Sequence, residues 1–149
     1  RTKHLSHHAG EVCFPGGMWE SHDQSLLATA LRETHEEIGL HPSLVQVLGS
    51  LPKRQTRSGT WVQPFVGRIP ADCKFELNPH ELDELFTVPL ADFTRGLQVR
   101  TDLFERNGVR IRMPVYQYRH YEIWGFTAAV TADLLTRLNA DAEDPLQSR

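Results

Sequence analysis

Three glutamates, Glu33, Glu36 and Glu37, stand at positions i, i+3 and i+4 of the chain. On a helix, with about 100° of rotation per residue, side chains at this spacing fall within roughly 100° of one another. Carboxylates that close repel each other, at a cost of about a few tenths of a kcal/mol per pair. A divalent cation would remove the repulsion, since Mg²⁺ and Mn²⁺ prefer oxygen ligands. The alternative is a solvated acidic face, which is a common reason for such a charge pattern.

The element that must position these carboxylates is a helix, predicted over residues 24–38 (QSLLATALRETHEEI). Ser21 or Asp23 is expected to cap its first turn, and Gly39 stands where a helix C-cap favours positive φ. A stripe about 140° away from the acidic face is suited to packing on a core. The residues of this stripe are Leu27, Leu31, Thr34 and Ile38.

A glycine pair precedes the helix, in the sequence Phe14-Pro15-Gly16-Gly17. Residues 11–14 form a short apolar run that predicts a strand, and the Pro-Gly-Gly sequence predicts a tight turn after it. Two glycines permit positive φ and allow backbone N–H groups to approach an anion closely. A phosphate-accepting loop beside an acidic, metal-binding helix is the combination that diphosphate cleavage requires.

Residues 16–40 resemble the Nudix box, G-x5-E-x7-R-E-U-x-E-E-x-G-U, in which U is a bulky apolar residue. The second half of the box matches at Arg32, Glu33, Glu36, Glu37, Gly39 and Leu40, while Thr34 replaces the bulky apolar residue. In the first half Asp23 stands in place of Glu, and eight residues rather than seven separate it from Arg32. This departure resembles the coenzyme A pyrophosphatase branch of the Nudix hydrolases.

A second motif supports the same branch. Residues 1–17 resemble R-S-x3-R-x3-G-x3-F-P-G-G, with matches at Arg1, Gly10 and the Phe-Pro-Gly-Gly sequence, Thr2 in place of Ser, and Ser6 in place of the second Arg. Residues 78–93 and 123–128 are similar to the family's later strand and to the start of its final helix. The resemblance therefore extends over nearly the whole chain.

The resemblance implies an α/β fold, the Nudix α/β/α sandwich with a mixed sheet, lacking its N-terminal strand or strands in this chain. It places the hydrolase domain at residues 1–138 and leaves residues 139–149 as a polar tail. Glu33 and Glu37 would hold Mg²⁺ or Mn²⁺, with Glu36 a ligand directly or through water. The substrates implied are coenzyme A and its thioesters, cleaved to 3′,5′-ADP and 4′-phosphopantetheine derivatives, and by analogy the enzyme is expected to form a homodimer.

Several roles have two interpretations. The general base is a glutamate of the box, Glu36 or Glu37, or Glu81 from a later loop, and the alternative for Glu81 is a plain exposed carboxylate. Arg32 is expected to orient Glu36 at i+4, or to form only a surface ion pair. Asp23 is expected to cap the helix.

Candidate phosphate ligands are found in the upstream motif, the glycine turn and a basic loop, because guanidinium, ammonium and backbone N–H groups bind phosphate. They are Arg1, Lys3, Gly16, Gly17, Lys53, Arg54 and Arg57. Loop cations are more often simply solvated. Trp61 and Trp124 could stack on adenine, although a place in the core is the more frequent one for such residues.

Two rival functions remain open. The same chemistry could act on another nucleoside diphosphate derivative, such as ADP-ribose or a nucleotide sugar. A Nudix-fold module could instead bind a nucleotide without cleaving it, but the retained glutamates argue for an enzyme.

Composition excludes other classes. The 149 residues include 16 Lys and Arg against 19 Asp and Glu, for a formal net charge of −3, which argues against nucleic acid as a partner. No stretch approaches the roughly 18 consecutive apolar residues of a membrane span. Two cysteines form no framework of disulfides and suit a reducing compartment. We therefore expect a cytoplasmic protein, or an organelle matrix protein if a targeting segment lies upstream of Arg1.

The remaining elements are predicted from local patterns. Further strands are expected at residues 44–51, 61–69, 84–90 and 109–118, with Pro64 placing the second of these at an edge or bulge. A closing helix is expected at residues 128–138.

Overall fold

The computed structural model describes Arg1 and residues 10–143, with side chains up to residue 139. The helices are α1 (Leu26–Ile38), α2 (Leu90–Thr94) and α3 (Gly125–Glu143), and a 3-10 turn covers Pro42–Leu44. The strands are β1 (Gln46–Ser50), β2 (Arg54–Gln55), β3 (Trp61–Val62), β4 (Phe65–Arg68), β5 (Gln98–Arg106), β6 (Val109–Tyr118) and β7 (Tyr121–Ile123). The predicted α/β class is confirmed.

The chain forms two compact units. The first comprises Arg1–Ser50 and Gln63–Thr87, and the second comprises Leu51–Val62 and Val88–Arg149. The first contains α1 and the antiparallel pair β1–β4, and the second contains the hairpin β2–β3, the sheet β5–β6–β7 and α3. The boundary predicted between domain and tail, after residue 138, falls inside α3.

The described strand pairs are all antiparallel, so the mixed pairing expected from the resemblance is not found among them. A parallel pair requires a crossover connection of about a dozen or more residues. The β5–β6 and β6–β7 connections are tight turns instead. In the first of these, Asn107 and Gly108 both have positive φ, at 52° and 76°, as a two-residue hairpin turn of the primed type requires.

Helix α1 in the first unit follows its sequence closely. It ends at Gly39, whose φ of 69° is left-handed and whose N–H donates to the carbonyl of His35. Thr34, which replaces a bulky apolar residue, donates its hydroxyl to the carbonyl of Ala30 at 2.7 Å. The hydroxyl is therefore satisfied within the helix and needs no partner elsewhere.

The second unit has its core between β6 and α3. Val115 and Tyr116 of β6 are buried, as are Ala128 and Ala129 of α3. The ring of Phe93 meets that of Tyr116 edge to face, with centroids 5.1 Å apart. Burial of a side chain such as Val115 contributes about 1.5–3 kcal/mol.

Several predicted elements differ from those observed. Residues 11–14 and 84–90 form no strand, because an apolar run becomes a strand only by pairing in register with a neighbouring strand, which a local pattern does not determine. Residues 61–69 are divided into β3 and β4 around Pro64, which has no N–H to donate. Strand β5 was not predicted. Almost all of its side chains are exposed, so its sequence lacks the alternation of apolar and polar residues that indicates a half-buried strand.

Of the helices within the described residues, none combines the length and the apolar character needed to cross a membrane.

Candidate active site

The first turn of α1 is capped by Ser25. Its backbone is extended, and its Oγ accepts the N–H of Ala28 at 3.1 Å. The prediction that Ser21 or Asp23 caps the helix is therefore wrong, because Ser25 directly precedes the first helical residue. Asp23 instead accepts hydrogen bonds from Arg32.

Asp23 is the anchor of the loop that precedes α1. Its two carboxylate oxygens accept hydrogen bonds from Arg32, Nε to Oδ1 at 2.9 Å and Nη2 to Oδ2 at 3.0 Å. Oδ2 also accepts the N–H of Glu20 and the hydroxyl of Thr29, each at 2.9 Å. The hydrogen bonds from Arg32, ahead of all other contributions, hold the pKa of Asp23 well below its usual range. Asp23 is therefore an ionised, nearly inaccessible partner for Arg32.

Arg32 connects this loop to the acidic side chains. Its Nη2 also donates to the carbonyl of Met18 at 3.1 Å. Its Nη1 donates to Glu33 Oε1 at 3.1 Å and to both carboxylate oxygens of Glu36 at 3.2 Å. The predicted pair with Glu36 is present, but the sequence did not reveal Asp23 as the main partner. The hydrogen bonds that Arg32 donates to Asp23 are also the chief reason that the pKa of Arg32 is raised.

The three glutamates differ strongly in exposure. Glu37 is 7% exposed, the Glu33 side chain 15% and the Glu36 side chain 54%. The interpretation of a wholly solvated acidic face is therefore wrong, because two of the three carboxylates are withdrawn from water. Such groups remain in a folded protein when hydrogen bonds or a cation compensate for lost hydration.

Burial changes the pKa of both inner glutamates. It raises the pKa of Glu37 to about 7, with further upward contributions from the charges of Glu81 and Glu33. A hydrogen bond from the backbone of Gly16 and the charge of Arg1 act in the opposite direction. Burial likewise raises the pKa of Glu33, partly offset by its hydrogen bond from Arg32.

The glycine turn is in direct contact with these carboxylates. A Cβ on Gly17 would lie 2.4 Å from Cδ of Glu33, closer than real side chains approach. A Cβ on Gly16 would meet nothing within 4 Å, and it is the backbone of Gly16 that hydrogen-bonds Glu37. Neither glycine uses the positive φ that glycine permits. A side chain at Gly17 would displace the carboxylate of Glu33, so the turn here contacts a carboxylate of the protein itself.

A later segment brings Glu81 to the same place. The N–H groups of Glu76 and Asn78 donate to the carbonyls of Ile38 and Glu37, each at 2.8 Å. These bonds satisfy two carbonyls that the end of α1 leaves without partners. A turn follows, in which Glu81 N–H donates to the carbonyl of Asn78 at 3.1 Å. Glu81 is thus near enough to raise the pKa of both Glu33 and Glu37, unlike an isolated surface carboxylate.

These carboxylates are candidate ligands for a metal ion. Across Arg1 and residues 10–143, no group of three or more His, Cys, Asp or Glu side chains is arranged to hold a metal ion. Glu33 and Glu36 are instead turned to Arg32. The donors nevertheless suit a hard cation, because they are carboxylate oxygens whose mutual repulsion a cation would relieve. The predicted ligands Glu33, Glu36 and Glu37 share a site but do not form a ready-made shell.

The predicted phosphate ligands lie in different places. Arg1 is close enough for its charge to lower the pKa of Glu37, and its Nε is buried without a hydrogen-bond partner in the described structure. Lys3 lies outside the described residues. Arg54, on β2, donates to Asp133 of α3 at 2.6 and 2.8 Å, so its donors serve the second unit. Lys53 precedes β2, and Arg57 lies exposed in the hairpin turn after it.

The aromatic residues also differ from expectation. Trp61 and Trp124 are exposed in the second unit, so their predicted place in a core is wrong. Trp19, which no sequence motif indicates as a site residue, lies in the first unit, two residues after Gly17. Its indole N–H donates to the carbonyl of Asp23 at 3.1 Å.

Comparisons with known proteins identify one family. Residues 1–109, which include α1 and the glycine turn, match the sequence profile of the NUDIX domain family. The chain is similar to an Enterobacter sp. (strain 638) protein named "Uncharacterized Nudix hydrolase NudL", with 36% identity over 138 residues that cover 93% of this chain and 72% of the relative. Proteins of the same name from Yersinia pestis (strain Pestoides F) and Yersinia pseudotuberculosis serotype O:3 (strain YPIII) are 38% identical over 139 residues, covering 93% of this chain and 70% of each relative.

Proposed function

This chain belongs to the Nudix hydrolase family, and from that premise we propose that it hydrolyses the diphosphate bond of coenzyme A and its thioesters. The family's chemistry is metal-dependent hydrolysis of diphosphate linkages in small nucleotide-containing molecules. The products would be 3′,5′-ADP and 4′-phosphopantetheine or its acyl derivative. Asp23 with its one-residue insertion before Arg32, together with the upstream motif, supports this substrate over others.

The observation that carries a hydrolytic function is the convergence of Glu33, Glu37 and Glu81. They come from two separate segments, and the charges of Glu33 and Glu81 help to raise the pKa of Glu37 to about 7. Perturbed carboxylates gathered in this way are typical of catalytic sites. A protein that only bound a nucleotide would gain nothing from such repulsion.

In this proposal Glu33, Glu36 and Glu37 hold Mg²⁺ or Mn²⁺. When bound, the cation neutralises charge on the phosphate oxygens and lowers the pKa of water. Arg32 keeps Glu33 and Glu36 on the same side of α1 through Nη1, and Asp23 fixes Arg32 in turn. Such outer partners typically change activity about 10–100-fold when they are removed.

Glu81 is proposed as the general base that accepts a proton from the attacking water. Its support is its position, because the turn from Asn78 holds it beside Glu33 and Glu37 without a place on α1. Loss of a general base lowers turnover by about 10²–10⁴-fold. Glu81→Gln is expected to show this loss and to retain divalent-cation binding, whereas unchanged turnover would exclude Glu81 as the base.

The proposed function is tested by mass spectrometry of the products formed from coenzyme A in ¹⁸O-labelled water with Mg²⁺ or Mn²⁺. We expect 3′,5′-ADP and 4′-phosphopantetheine, with one label on one product, which identifies the phosphorus attacked. ADP-ribose at the same concentration is the comparison substrate. A large preference for ADP-ribose would overturn the substrate assignment. Tight nucleotide binding without hydrolysis of any diphosphate would overturn the proposal that the protein is a hydrolase.

We also place the protein in the cytoplasm. This location is supported by the two cysteines, Cys13 and Cys73, which are both free thiols and therefore compatible with a reducing compartment.

A further inference from the structure

The loop before α1 presents large apolar side chains to solvent. Met18 is 70% exposed and Trp19 54%, and Phe14 is also more than half exposed. All three belong to the first unit, which carries Glu33, Glu37 and Glu81. Contiguous exposed apolar side chains mark interaction sites more often than isolated ones do.

The side chain of Trp19 is hydrogen-bonded to the loop although it is exposed. Its indole N–H donates to the carbonyl of Asp23 at 3.1 Å. The residues on both sides are also fixed, since the Met18 carbonyl accepts Arg32 Nη2 at 3.1 Å and the Glu20 N–H donates to Asp23 Oδ2 at 2.9 Å. A side chain ordered in advance loses little conformational entropy when a ligand binds.

The backbone of Trp19 lies close to the glycine turn that contacts the proposed site. Gly17 contacts the carboxylate of Glu33 so closely that a Cβ there would lie 2.4 Å from Cδ. Trp19 is two residues further along the chain, and two residues span at most about 7 Å. Of the three tryptophans, Trp19 is the one in the first unit, because Trp61 and Trp124 belong to the second.

We propose that Trp19 is the stacking platform for the adenine ring of the substrate, an inference that rests on the proposed function. With the N–H edge of the indole engaged by Asp23, the surface that Trp19 offers a ligand is its flat π face. A planar base matches such a face, and stacking is favourable for every nucleobase. In the substrate, one ribose separates the adenine from the diphosphate. In the protein, Trp19 is two residues from Gly17, so an adenine stacked on Trp19 would place the diphosphate near the glycine turn.

The location of the adenine is tested by tryptophan fluorescence in the full chain, with adenosine 3′,5′-bisphosphate as the probe. The ligand is expected to quench the wild-type protein and Trp61→Phe, the matched control with an exposed tryptophan in the second unit. Trp19→Phe, which retains an aromatic face, is expected to bind the probe with the quench lost. Inorganic pyrophosphate, which has no base, is expected to cause no quench. A quench that persists in Trp19→Phe would overturn the proposal.

The contribution of stacking is tested by steady-state kinetics of Trp19→Ala with coenzyme A and with ADP-ribose. Loss of the platform is expected to raise KM about tenfold or more for whichever of the two is hydrolysed, with kcat nearly unchanged. An unchanged KM for both, with an increase only for a long-chain acyl thioester of coenzyme A assayed beside them, would overturn the proposal in favour of an apolar-chain site. The fluorescence experiment requires no turnover, so it separates failure of this proposal from failure of the proposed reaction.

Discussion

Arg32 uses both ends of its guanidinium group, with Nε and Nη2 toward Asp23 and Nη1 toward Glu33 and Glu36. The contact with Glu36 could be predicted, because i and i+4 meet on any helix. The contact with Asp23 could not, because it depends on how the loop before α1 turns back. Periodicity carries no information about an irregular loop.

At the residue scale, Gly17→Ala is expected to lower hydrolytic activity by about 10–100-fold, because the new Cβ would displace the carboxylate of Glu33. Gly16→Ala adds the same methyl group where nothing lies within 4 Å and is expected to lose much less. The measurement is kcat/KM for both variants, after circular dichroism has shown that each is folded. Equal losses would contradict the role given to Gly17.

Glu37 makes the stability of the metal-free protein depend on pH. Burial raises its pKa from 4.5 to about 7, so the folded state retains a proton that the unfolded state releases between these values. The free energy of unfolding should therefore fall as pH rises through this window, by about 1–2 kcal/mol after allowance for partial solvent screening. Above pH about 7 this contribution is constant.

The test is urea unfolding in the presence of a chelator, at pH about 5 and about 8. Glu37→Gln cannot ionise and is expected to lose this part of the pH dependence and to exceed the wild type in stability at the higher pH. Glu105→Gln, an exposed glutamate in the second unit, is the control and should follow the wild type. At the same time Glu37→Gln should lower turnover by several orders of magnitude, since it removes a proposed ligand of the metal.

At the scale of elements, the end of α1 positions the segment that carries Glu81. The carbonyls of Glu37 and Ile38 accept the N–H groups of Asn78 and Glu76, each at 2.8 Å. This contact leaves no room beside Gly39, where a Cβ would lie 2.9 Å from that of Glu76. The helix cap and the placement of Glu81 are therefore one structural feature.

Gly39→Ala is accordingly expected to destabilise the protein by about 1–3 kcal/mol and to reduce turnover as well, because the φ of 69° and the close approach to Glu76 both oppose a side chain. Gly96→Ala is the matched control, since Gly96 also has positive φ but lies in open space. Gly96→Ala should be less stable than the wild type with its turnover retained. Urea midpoints and kcat measured together distinguish the two variants.

The sequence predicted those elements that local chemistry determines. Helix α1, its end at Gly39 and the interruption at Pro64 each follow from residues within a few positions. The raised pKa of Glu37 does not, because it reflects burial and, after it, the charge of Glu81, which is distant in sequence. Residues 84–90 were wrongly predicted as a strand because β-structure depends on a partner that a local pattern cannot supply.

At the scale of the whole molecule, the chain consists of two compact units, each with sequence from two separate stretches. The proposed catalytic carboxylates belong to the first unit. In the second, the ion pair of Arg54 with Asp133 joins β2 to α3, which are 79 positions apart at these residues. Each unit is thus completed by long-range contacts.

Divalent cations are expected to stabilise the folded protein if the carboxylates of the first unit bind them. A ligand that binds only the folded state raises the free energy of unfolding, by about 2.7 kcal/mol at a concentration one hundred times its Kd. The effect of Mg²⁺ on the thermal midpoint should be larger at pH about 8 than at pH about 5, because protons compete for Glu37 at the lower pH. Glu37→Gln should lose most of it and Glu105→Gln should retain it, whereas equal stabilisation of both would place the cation elsewhere.

The two backbone hydrogen bonds from Glu76 and Asn78 to the last turn of α1 also decide what fails first when the protein is warmed. Helix ends fray at lower temperature than cores melt. Once this end of α1 opens, the segment that carries Glu81 is no longer hydrogen-bonded to the helix, while most of the helix persists. Loss of activity on heating should therefore precede loss of the helical circular dichroism signal. The enzyme would be inactive before it is unfolded.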